Sequence, residues 1–428
     1  MTLRQSARAI FDAALASADV RPLVRRVLAA VRPPETGRLI VVGAGKASGA
    51  MAGAVEEAWG DRVTEGLVAV KDGYVTPTRR IRLVEAGHPV PDERGAAAAR
   101  EIRALAEAAT ADDLVLVLIS GGGSALTPAP APPITLADKQ AVTRLLLAAG
   151  ANINQLNCVR KHCSLLKGGQ LARASAPARV HALLLSDVIG DPVDVIGSGP
   201  TAPDDSTFAE AHGILERLGV KDRAPRSVIE RLEAGMAGQI PETPKADDPL
   251  FARVRNVVIG NNQLVVDAAR RRAAELGFAA HVLTRSLEGE AREAAKRFVE
   301  LGRSIRASKG PVAAPGCLIA GGETTVIVRG KGSGGRCQEV ALAAALELEG
   351  LDNALILAAG TDGTDGPTTA AGALADGGSC QRAREQGYDP VARLANNDSN
   401  PVFAALGDLV VTGPTNTNLL DLYVLLVA

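Results

Sequence analysis

The residues best suited to chemistry in this 428-residue chain are polar side chains and glycines that directly follow apolar runs. Lys46 follows the turn Gly43-Ala44-Gly45, and residues 120–124 read Ser-Gly-Gly-Gly-Ser behind the apolar run 114–119. A lysine at the start of a helix combines a mobile cation with backbone amides that can bind an anion. Consecutive glycines also let backbone amides surround an anion. Both loops therefore suit phosphate, although a plain turn has a similar composition.

The loop at residues 43–48 satisfies neither of the two common phosphate motifs that it resembles. It lacks the first glycine of the P-loop, and Ala47 stands where that motif needs serine or threonine. Ser48 occupies the place of the third glycine of the dinucleotide fingerprint. We weigh anion binding by Lys46 against a tight turn with a solvated lysine, and favour binding because ligand sites concentrate in such loops.

Two further loops of the N-terminal half carry charge. Arg160 and Lys167 are seven residues apart, on one face of a helix, which suits a carboxylate or phosphate as well as it suits a solvated basic surface. Asp187 and Asp191 follow the apolar run 181–185, in a glycine- and proline-rich loop that continues to Asp204. Such carboxylates can bind Mg²⁺ or accept a hydroxyl proton, or they can simply form turns.

The C-terminal half repeats this pattern of polar groups after apolar runs. Arg336 follows two glycines at the predicted start of a helix, where an anion is favoured. Asp362 and Asp365 lack the ligand spacing of an EF-hand, but they can line a nucleotide or Mg²⁺ site. The remaining polar candidates lie in loops after apolar runs: Glu323, Thr324, Thr412, Asn416 and Asn418.

The elements that must position these groups alternate between short apolar strands and alanine-rich helices. Unbroken apolar strands between helices indicate a parallel sheet covered on both faces, so we predict a doubly wound α/β fold. Residues 221–249 are charged and contain several prolines, which predicts a connector. A second α/β segment follows, with one of its strands predicted over residues 324–329.

Composition excludes several classes of function. Lys plus Arg (47) nearly balance Asp plus Glu (48), and aromatic residues make up 2% of the chain, which argues against nucleic acid or an acidic membrane as partner. The five cysteines form no CxxC pair, so neither a disulfide framework nor a zinc site is expected. No apolar run approaches the about 20 residues needed to span a bilayer. We expect a cytoplasmic enzyme.

Taken in order, these segments resemble the class II glycerate kinases, some of which are named hydroxypyruvate reductases. The resemblance covers nearly the whole chain and includes residues 42–47, 120–125, 160–162, 166–169, 186–204, 321–325, 334–339, 360–368 and 412–418. It implies a Rossmann-like N-terminal domain (residues 1–245), a C-terminal MOFRL-type α/β domain (residues 246–428), and an active site in the cleft between them.

The resemblance also implies the reaction: transfer of the ATP γ-phosphate to D-glycerate with Mg²⁺, usually giving 2-phosphoglycerate. It maps the catalytic roles onto Lys46, Asp187 and Arg336, and we expect Asp187 and Asp191 to bind the metal. The other loop residues are expected to bind glycerate or nucleotide: Gly43, Gly45, Ser120, Gly121, Gly122, Gly123, Ser124, Arg160, Lys167, Asp191, Glu323, Thr324, Asp362, Asp365, Thr412, Asn416 and Asn418.

Two other functions are compatible with an α/β chain. An NAD(P)-dependent hydroxypyruvate reductase needs a complete dinucleotide fingerprint, which Ser48 interrupts, and a His–carboxylate pair, although no histidine lies in a strand-end acidic loop. A catalytically silent sugar- or nucleotide-sensing module would have no use for catalytic charges in both halves. The sequence leaves the oligomeric state open, with a homodimer among the alternatives.

Overall fold

The computed structural model describes residues 1–428, which fold into two compact units. The first unit consists of residues 20–259, and the second combines residues 1–19 with residues 260–428. This division differs from the boundary predicted between residues 245 and 246. The strand at residues 254–260 belongs to the first sheet, and the first helix, α1 (Leu3–Ser17), packs in the second unit.

The sheet of the first unit has six strands. They are β1 (Leu39–Ala44), β2 (Glu65–Lys71), β3 (Ile81–Ala86), β4 (Leu114–Ile119), β5 (Arg179–Leu185) and β6 (Val254–Gly260). Their order is β3-β2-β1-β4-β5-β6, with parallel pairing of β3–β2, β2–β1, β1–β4 and β4–β5. Every residue of β1 and β4 is buried. The α/β prediction is confirmed, and the strand order is that of Rossmann-type sheets, which bind ligands where the order reverses, here between β1 and β4.

Nine helices accompany this sheet. They are α2 (Val20–Leu28), α3 (Ser48–Trp59), α4 (Glu93–Glu107), α5 (Gly123–Leu126), α6 (Leu136–Ala148), α7 (Ile153–His162), α8 (Gln170–Ser175), α9 (Phe208–Arg217) and α10 (Arg226–Met236). Helices α6, α7, α9 and α10 share a second apolar core, which includes Leu146, Val159, Phe208 and Leu232. Short 3-10 helices lie at Gly60–Arg62, Ile196–Ser198, Lys221–Arg223 and Pro249–Arg253.

The second unit is built on a mixed sheet. Its strands are β7 (Ala279–Leu287), β8 (Gly316–Gly322), β9 (Ala354–Gly360), β10 (Gly372–Asp376), β11 (Leu409–Val410) and β12 (Asp421–Val427), in the order β11-β10-β9-β12-β8-β7. Only β7 and β8 pair in parallel. Because β12 is antiparallel to both of its neighbours, β8 and β9 end at the edge where β12 begins. That edge gathers the loops after β8 and β9 around the start of β12.

Six helices and α1 cover this second sheet. The six are α11 (Asn262–Glu275), α12 (Ala291–Arg306), α13 (Arg336–Leu348), α14 (Ser379–Glu385), α15 (Pro390–Ala395) and α16 (Ser399–Leu406). Helix α1 is held by ion pairs from Arg4 to Asp376 and Asp408. No helix in the chain is long and apolar enough to cross a lipid bilayer.

Two predicted elements are wrong. The connector predicted over residues 221–249 contains helix α10, which buries Val228 and Leu232, because an apolar residue every three to four positions outweighs the flanking charges. Residues 324–329 form no strand; their only β-type contact is a bridge from Thr325 to Glu290. The β-branched side chains of Ile327 and Val328 favour a strand. Both are exposed, so no buried face stabilises a strand here.

Candidate active site

The turn after β1 and the loop after β4 interlock at the point where the strand order reverses. The amide of Lys46 donates to the carbonyl of Gly121 (2.9 Å), and the amide of Ala47 donates to Ser120 Oγ (2.9 Å). Ser48 Oγ lies 3.0 Å from the same Ser120 hydroxyl. Two loops that are far apart in sequence thus form one surface at the carboxyl ends of adjacent parallel strands.

Close packing explains two of the predicted glycines. A Cβ atom at Gly43 would overlap the carbonyl oxygen of Leu118, and one at Gly45, whose φ is +149°, would overlap Ser120 Oγ. The expectation that the amides after Gly45 are free for an anion is wrong for Lys46 and Ala47, since both amides are bonded to the loop after β4. Anion binding by this turn therefore depends on the Lys46 side chain.

The loop after β4 offers amides that the turn after β1 does not. The amides of Gly121 and Gly122 donate to no group within the chain, whereas that of Gly123 donates to the Ser120 carbonyl. Gly122 has a φ of +86°, and a Cβ there would lie 2.9 Å from the His88 ring and 3.6 Å from Lys46 Cγ. Lys46 and His88 therefore both lie beside Gly122, next to two amides that have no acceptor within the chain. Such amides in a glycine-rich loop suit an anion.

The hydroxyl of Ser124 begins a polar chain that leads away from this loop. Its Oγ lies 3.0 Å from Ser198 Oγ, which in turn lies 3.0 Å from Asn157 Oδ1. Ser198 has a left-handed backbone (φ +64°) between Gly197 and Gly199, which are also left-handed. The chain of hydrogen bonds connects the loop after β4 to α7 and fixes its orientation.

Arg160, at the end of α7, lies in a group of cations that contains no carboxylate partner. Its guanidinium forms no hydrogen bond or ion pair within the chain, and burial lowers the pKa of this group. Lys139 and Lys167 are buried and close enough that the Arg160 charge lowers the pKa of each further. Burial, the largest cause, brings the pKa of Lys139 to about 7. Uncompensated positive charge of this kind is stabilised by an anionic ligand.

Lys167 lies beyond the end of α7, so the prediction that it shares one helical face with Arg160 is wrong, and its side chain is held by the main chain. Its Nζ donates to the carbonyls of Ser124 (2.9 Å) and Thr127 (3.3 Å), at the end of the short helix α5. Lys139 donates similarly to the carbonyl of Pro128. The two lysines thus support the loop after β4, and Arg160 is the member of the group whose donors remain for a ligand.

Asp187 and Asp191 lie in the loop after β5, next to β4 in the sheet. The loop is shaped by a hydrogen bond from the Asp191 amide to the Val188 carbonyl (3.1 Å) and by left-handed backbone at Gly190 and Asp191 (φ +82° and +56°). Both aspartates are partly exposed. The structure forms no group of three His, Cys, Asp or Glu side chains arranged to hold a metal. Mg²⁺ commonly uses one or two carboxylates and completes its shell with phosphate and water, which this pair fits.

The second unit places Arg336 at the edge where β8 and β9 end. Its Nε and Nη2 lie 2.6 Å and 2.9 Å from the two carboxylate oxygens of Asp421, the first residue of β12. Its Nη1 lies 2.6 Å from Glu323, the residue after β8. Burial alone would lower the pKa of Arg336, but the adjacent Asp421 outweighs it and holds the pKa above its ordinary value. About a third of the Arg336 side chain remains exposed at the edge.

Tyr423 completes the support of Arg336. Its hydroxyl donates to Asp421 Oδ2 (3.0 Å), and the hydroxyl and amide of Thr324 lie 3.1 Å and 3.3 Å from it. Tyr423 and Asp421 are fully buried. Thr324 is therefore part of the structure that orients the arginine, one step removed from any ligand.

Asp365 occupies the helix start at which an anion was expected. Its carboxylate accepts hydrogen bonds from the amides of Cys337 (3.1 Å) and Gln338 (2.9 Å), in the first turn of α13. Gln338 Nε2 donates to the same group (3.0 Å). Burial raises the pKa of Asp365 to about 6, despite these bonds. The prediction that a ligand binds these amides is wrong, because the protein supplies its own carboxylate.

The other predicted residues of this half lie in the loops after β9 and before β12. Asp362 Oδ1 accepts from the amide (3.0 Å) and hydroxyl (3.1 Å) of Thr364 and closes a local turn. Thr412 donates to the carbonyl of Gly413 (2.8 Å), and Asn416 has a left-handed φ of +55°. Asn418 lies just before β12. These groups belong to the loops at the edge that carries Arg336, and Asp362 adds a carboxylate to them.

Sequence reasoning missed several residues that shape both sites. They are His88, Lys139, Asn157 and Ser198 in the first unit, and Asp421 and Tyr423 in the second. Asp421 and Tyr423 could have been suspected, since they are polar residues inside the terminal apolar run 419–427. Polar groups inside a predicted core require partners.

Comparisons with known proteins identify the family of the chain. Residues 6–233 match the family described as "Domain of unknown function (DUF4147)", and residues 316–421 match the MOFRL family. A D-glycerate 2-kinase from Thermotoga maritima is 43% identical over 90% of this chain and 90% of that protein. A protein from Agrobacterium vitis with a provisional hydroxypyruvate reductase name is 44% identical, covering 100% of this chain and 95% of its own.

The fold is also that of a solved protein. The crystal structure of a glycerate kinase from Thermotoga maritima superimposes with a TM-score of 0.89 at 40% identity, covering 100% of this chain and 99% of the other.

Proposed function

The chain belongs to the glycerate kinase family, and we propose that it transfers the γ-phosphate of ATP to D-glycerate in the presence of Mg²⁺, forming 2-phosphoglycerate. The observation that supports this most directly is the arrangement at the reversal of strand order. There Lys46 lies beside Gly122, the amides of Gly121 and Gly122 have no acceptor within the chain, and Arg160 lies in the same unit without a carboxylate partner. One anion site suits phosphate and the other suits the carboxylate of a small hydroxy acid.

In this mechanism the glycerate carboxylate binds Arg160 through the planar guanidinium. The glycerate hydroxyl oxygen attacks the γ-phosphorus, the bond from phosphorus to the β,γ-bridging oxygen breaks, and ADP leaves with that electron pair. Asp187 orients the hydroxyl and accepts its proton. Lys46 and the amides after β4 stabilise charge on the phosphoryl oxygens, which is the main task in phosphoryl transfer.

Asp187 and Asp191 are the residues that would hold Mg²⁺. The ion, when bound, neutralises charge on the phosphate oxygens of ATP. Of the two, Asp191 is assigned to Mg²⁺ alone, because Asp187 is also assigned to accept the proton of the glycerate hydroxyl.

Arg336 is proposed to stabilise the transferring phosphoryl group. Its contact with Asp421 fixes the guanidinium plane before substrate arrives, so the guanidinium need not reorient during the reaction. Glu323, which is largely exposed, holds Nη1 in the absence of substrate and can release it to a phosphate oxygen. Arg336 would then contribute more to turnover than to substrate affinity.

Purified protein tests this proposal directly. We expect ADP to form only when D-glycerate, ATP and Mg²⁺ are all present, and ³¹P NMR of the product to show phosphate on the 2-hydroxyl. A resonance from 3-phosphoglycerate would correct the product and keep the kinase. Oxidation of NADH with hydroxypyruvate, in protein that forms no ADP with glycerate, would replace the kinase by a reductase.

A further inference from the structure

The segment between β8 and α13 carries two cations that the proposed mechanism does not use. Arg329 and Lys331 are exposed, and neither side chain forms an ion pair or hydrogen bond within the chain. Between and after them come glycines at positions 330, 332, 334 and 335, so that residues 329–336 read Arg-Gly-Lys-Gly-Ser-Gly-Gly-Arg. We call residues 327–335 the cationic strip. It leads directly into Arg336.

The glycines of the strip are explained by what lies beneath them. A Cβ at Gly330 would overlap Asn396, one at Gly332 would overlap Asp398, and one at Gly334 would overlap the hydroxyl of Ser399. Gly330, Gly332 and Gly334 therefore pack against residues 396–399, while the side chains of the neighbouring Arg329 and Lys331 stay exposed. Two residues of chain span at most about 7 Å, so both charges can contact one polyphosphate.

Hydrogen bonds from its backbone amides fix the strip over residues 329–333. Asn397 Oδ1 accepts from the amides of Arg329 (2.7 Å) and Gly330 (3.1 Å). Asn396 Oδ1 accepts from the amide of Lys331 (3.1 Å), and Asp398 Oδ1 accepts from that of Ser333 (2.9 Å). A surface loop whose amides are bonded by three consecutive side chains keeps its shape at little entropic cost when a ligand binds.

Asn397 is the centre of this support. It is buried, its backbone is left-handed (φ +53°), and its Nδ2 donates to Glu339 Oε1 (3.0 Å). Glu339 is held in turn by Arg292, at 2.6 Å and 2.8 Å. The bond to Glu339 fixes which end of the carboxamide faces the strip, because only the oxygen can accept from the two amides.

We propose that Asn397 is a positioning residue for the reaction, and that it holds the cationic strip so that Arg329 and Lys331 bind the phosphate groups of ATP. This inference rests on the proposed kinase activity. Arg329 and Lys331 are exposed neighbours on a preorganised backbone, and no carboxylate of the chain neutralises either charge. Two such cations suit the several negative charges of a polyphosphate. Asn397 touches no substrate and acts through the backbone of residues 329 and 330.

The test compares Asn397→Gly with Asn353→Gly. Glycine keeps the left-handed backbone at either site and removes only the carboxamide. Asn353 is a matched control, since it is also left-handed (φ +58°) in the same unit, and its exposed side chain bonds to nothing in the strip. We expect Asn397→Gly to raise KM for ATP about tenfold, a loss of about 1.4 kcal/mol of binding, with little change in KM for glycerate. Asn353→Gly should match the wild type.

A double-mutant cycle separates positioning from general loosening. Arg329→Gln should raise KM for ATP in the wild-type background but add little once Asn397→Gly is present, because the guanidinium is then no longer held in place. Equal and additive effects in both backgrounds would overturn the positioning role. Binding of ADP, measured by isothermal titration calorimetry, should fall in parallel, whereas binding of 2-phosphoglycerate should not.

The outcomes distinguish this inference from the function it rests on. Wild-type protein that forms no ADP with glycerate would contradict the kinase proposal itself. Active wild type with an unchanged KM for ATP in Asn397→Gly would contradict only the role of the strip, and so would a change confined to glycerate or its phosphorylated product. If Asn397→Gly does not fold, Arg329→Gln and Lys331→Gln, which alter exposed side chains, must each raise KM for ATP.

Discussion

Arg336 and Asp421 form a two-point ion pair in which Nε and Nη2 of the guanidinium lie 2.6 Å and 2.9 Å from the two carboxylate oxygens. Asp421 is fully buried, and Tyr423 donates a further hydrogen bond to it. A lysine has a single point charge and cannot reproduce this planar contact. The pair therefore fixes the orientation of Arg336, leaving Nη1 toward Glu323 and the edge of the sheet.

We expect Arg336→Lys to lower kcat by about 10³-fold, the usual range for an arginine that stabilises phosphoryl transfer. KM for either substrate should change much less, because the contact matters most in the transition state. Steady-state kinetics give both constants. The control is Arg38→Lys, which disturbs another arginine–aspartate pair, in which Nε and Nη2 both contact Asp113 Oδ2 (3.3 Å and 2.9 Å), at the amino ends of β1 and β4. Unchanged turnover in Arg336→Lys would remove this residue from the mechanism.

Lys46→Met should abolish most turnover without altering the fold. The amide of residue 46 keeps its bond to Gly121 in either variant, so only the side-chain charge is lost. We expect kcat to fall by about 10²-fold or more, as for other groups that stabilise charge in a transition state. Circular dichroism and initial rates on one preparation decide the matter: a normal rate would make Lys46 a solvated turn residue.

The sequence located strands β1 and β4 of the first unit because the signals of such strands are local. A buried parallel strand is a continuous apolar run, and the glycine-rich loop after it marks the ligand edge, so β1, β4 and the loops at Lys46 and Ser120 could be located from residues that are neighbours in the chain.

What the sequence did not show depends on contacts between distant segments. Asp365 was predicted to line a ligand site, whereas it accepts hydrogen bonds from the start of α13, 27 residues away. Nothing near Asp365 in the sequence indicates this partner. Asn397 is 68 and 67 residues from Arg329 and Gly330, whose amides it binds. The sequence shows Lys139 only as a lysine in a predicted helix, and its burial is known only from the structure. Side-chain type predicts possible chemistry, and only the tertiary structure decides whether a carboxylate meets a ligand or a backbone amide.

Arg160→Gln should raise KM for glycerate about 10- to 100-fold, because a hydrogen-bonded charge contributes roughly 1.5 to 3 kcal/mol of binding. KM for ATP should stay near its wild-type value. Arg144→Gln removes a charge from an exposed position on the neighbouring helix α6 and serves as the control. An equal rise in both KM values for Arg160→Gln would mean that Arg160 shapes the site and does not bind the glycerate carboxylate.

The two aspartates after β5 should respond differently to substitution. Asp187→Asn is expected to lower kcat at every Mg²⁺ concentration, because an amide cannot accept the hydroxyl proton. Asp191→Asn should instead raise the Mg²⁺ concentration needed for half-maximal activity, and excess Mg²⁺ should restore much of the rate. Kinetics over a Mg²⁺ titration separate the two cases. Wild-type behaviour of both variants would make this loop structural.

The last prediction concerns pH and the pair formed by the buried His162 and the partly exposed Glu242, which joins α7 to the segment after α10. His162 Nε2 lies 3.2 Å from Glu242 Oε2, its Nδ1 lies 2.8 Å from the Cys158 carbonyl, and Glu242 Oε1 accepts from the Phe208 amide (2.9 Å). Burial alone would lower the pKa of His162, but the bonds to Cys158 and Glu242 raise it from 6.5 to about 9. Burial alone would raise the pKa of Glu242, but the hydrogen bond with His162 lowers the pKa of that carboxyl to about 2.

The sign of the effect follows from these shifts. A histidine whose pKa is raised on folding stabilises the protein fully below pH 6.5, and the contribution is lost as pH rises through about 9. The lowered pKa of Glu242 gives a contribution that is present above pH 4.5 and lost as pH falls through about 2. Glu242→Gln keeps a hydrogen-bonding group without the charge, so it should cost about 2 kcal/mol of unfolding free energy between about pH 5 and pH 6.5.

Urea unfolding at about pH 5.5, 7.5 and 10 measures this difference, with Glu216→Gln as the control. Glu216 is exposed in its contact with Lys221, where an ion pair contributes little. The difference between wild type and Glu242→Gln should shrink at the highest pH, because His162 is then neutral in the folded protein and the pair is no longer ionic. A difference that is the same at the lowest and highest pH would show that the Glu242 carboxylate stabilises this segment through its bond to the Phe208 amide and not through the charge of His162.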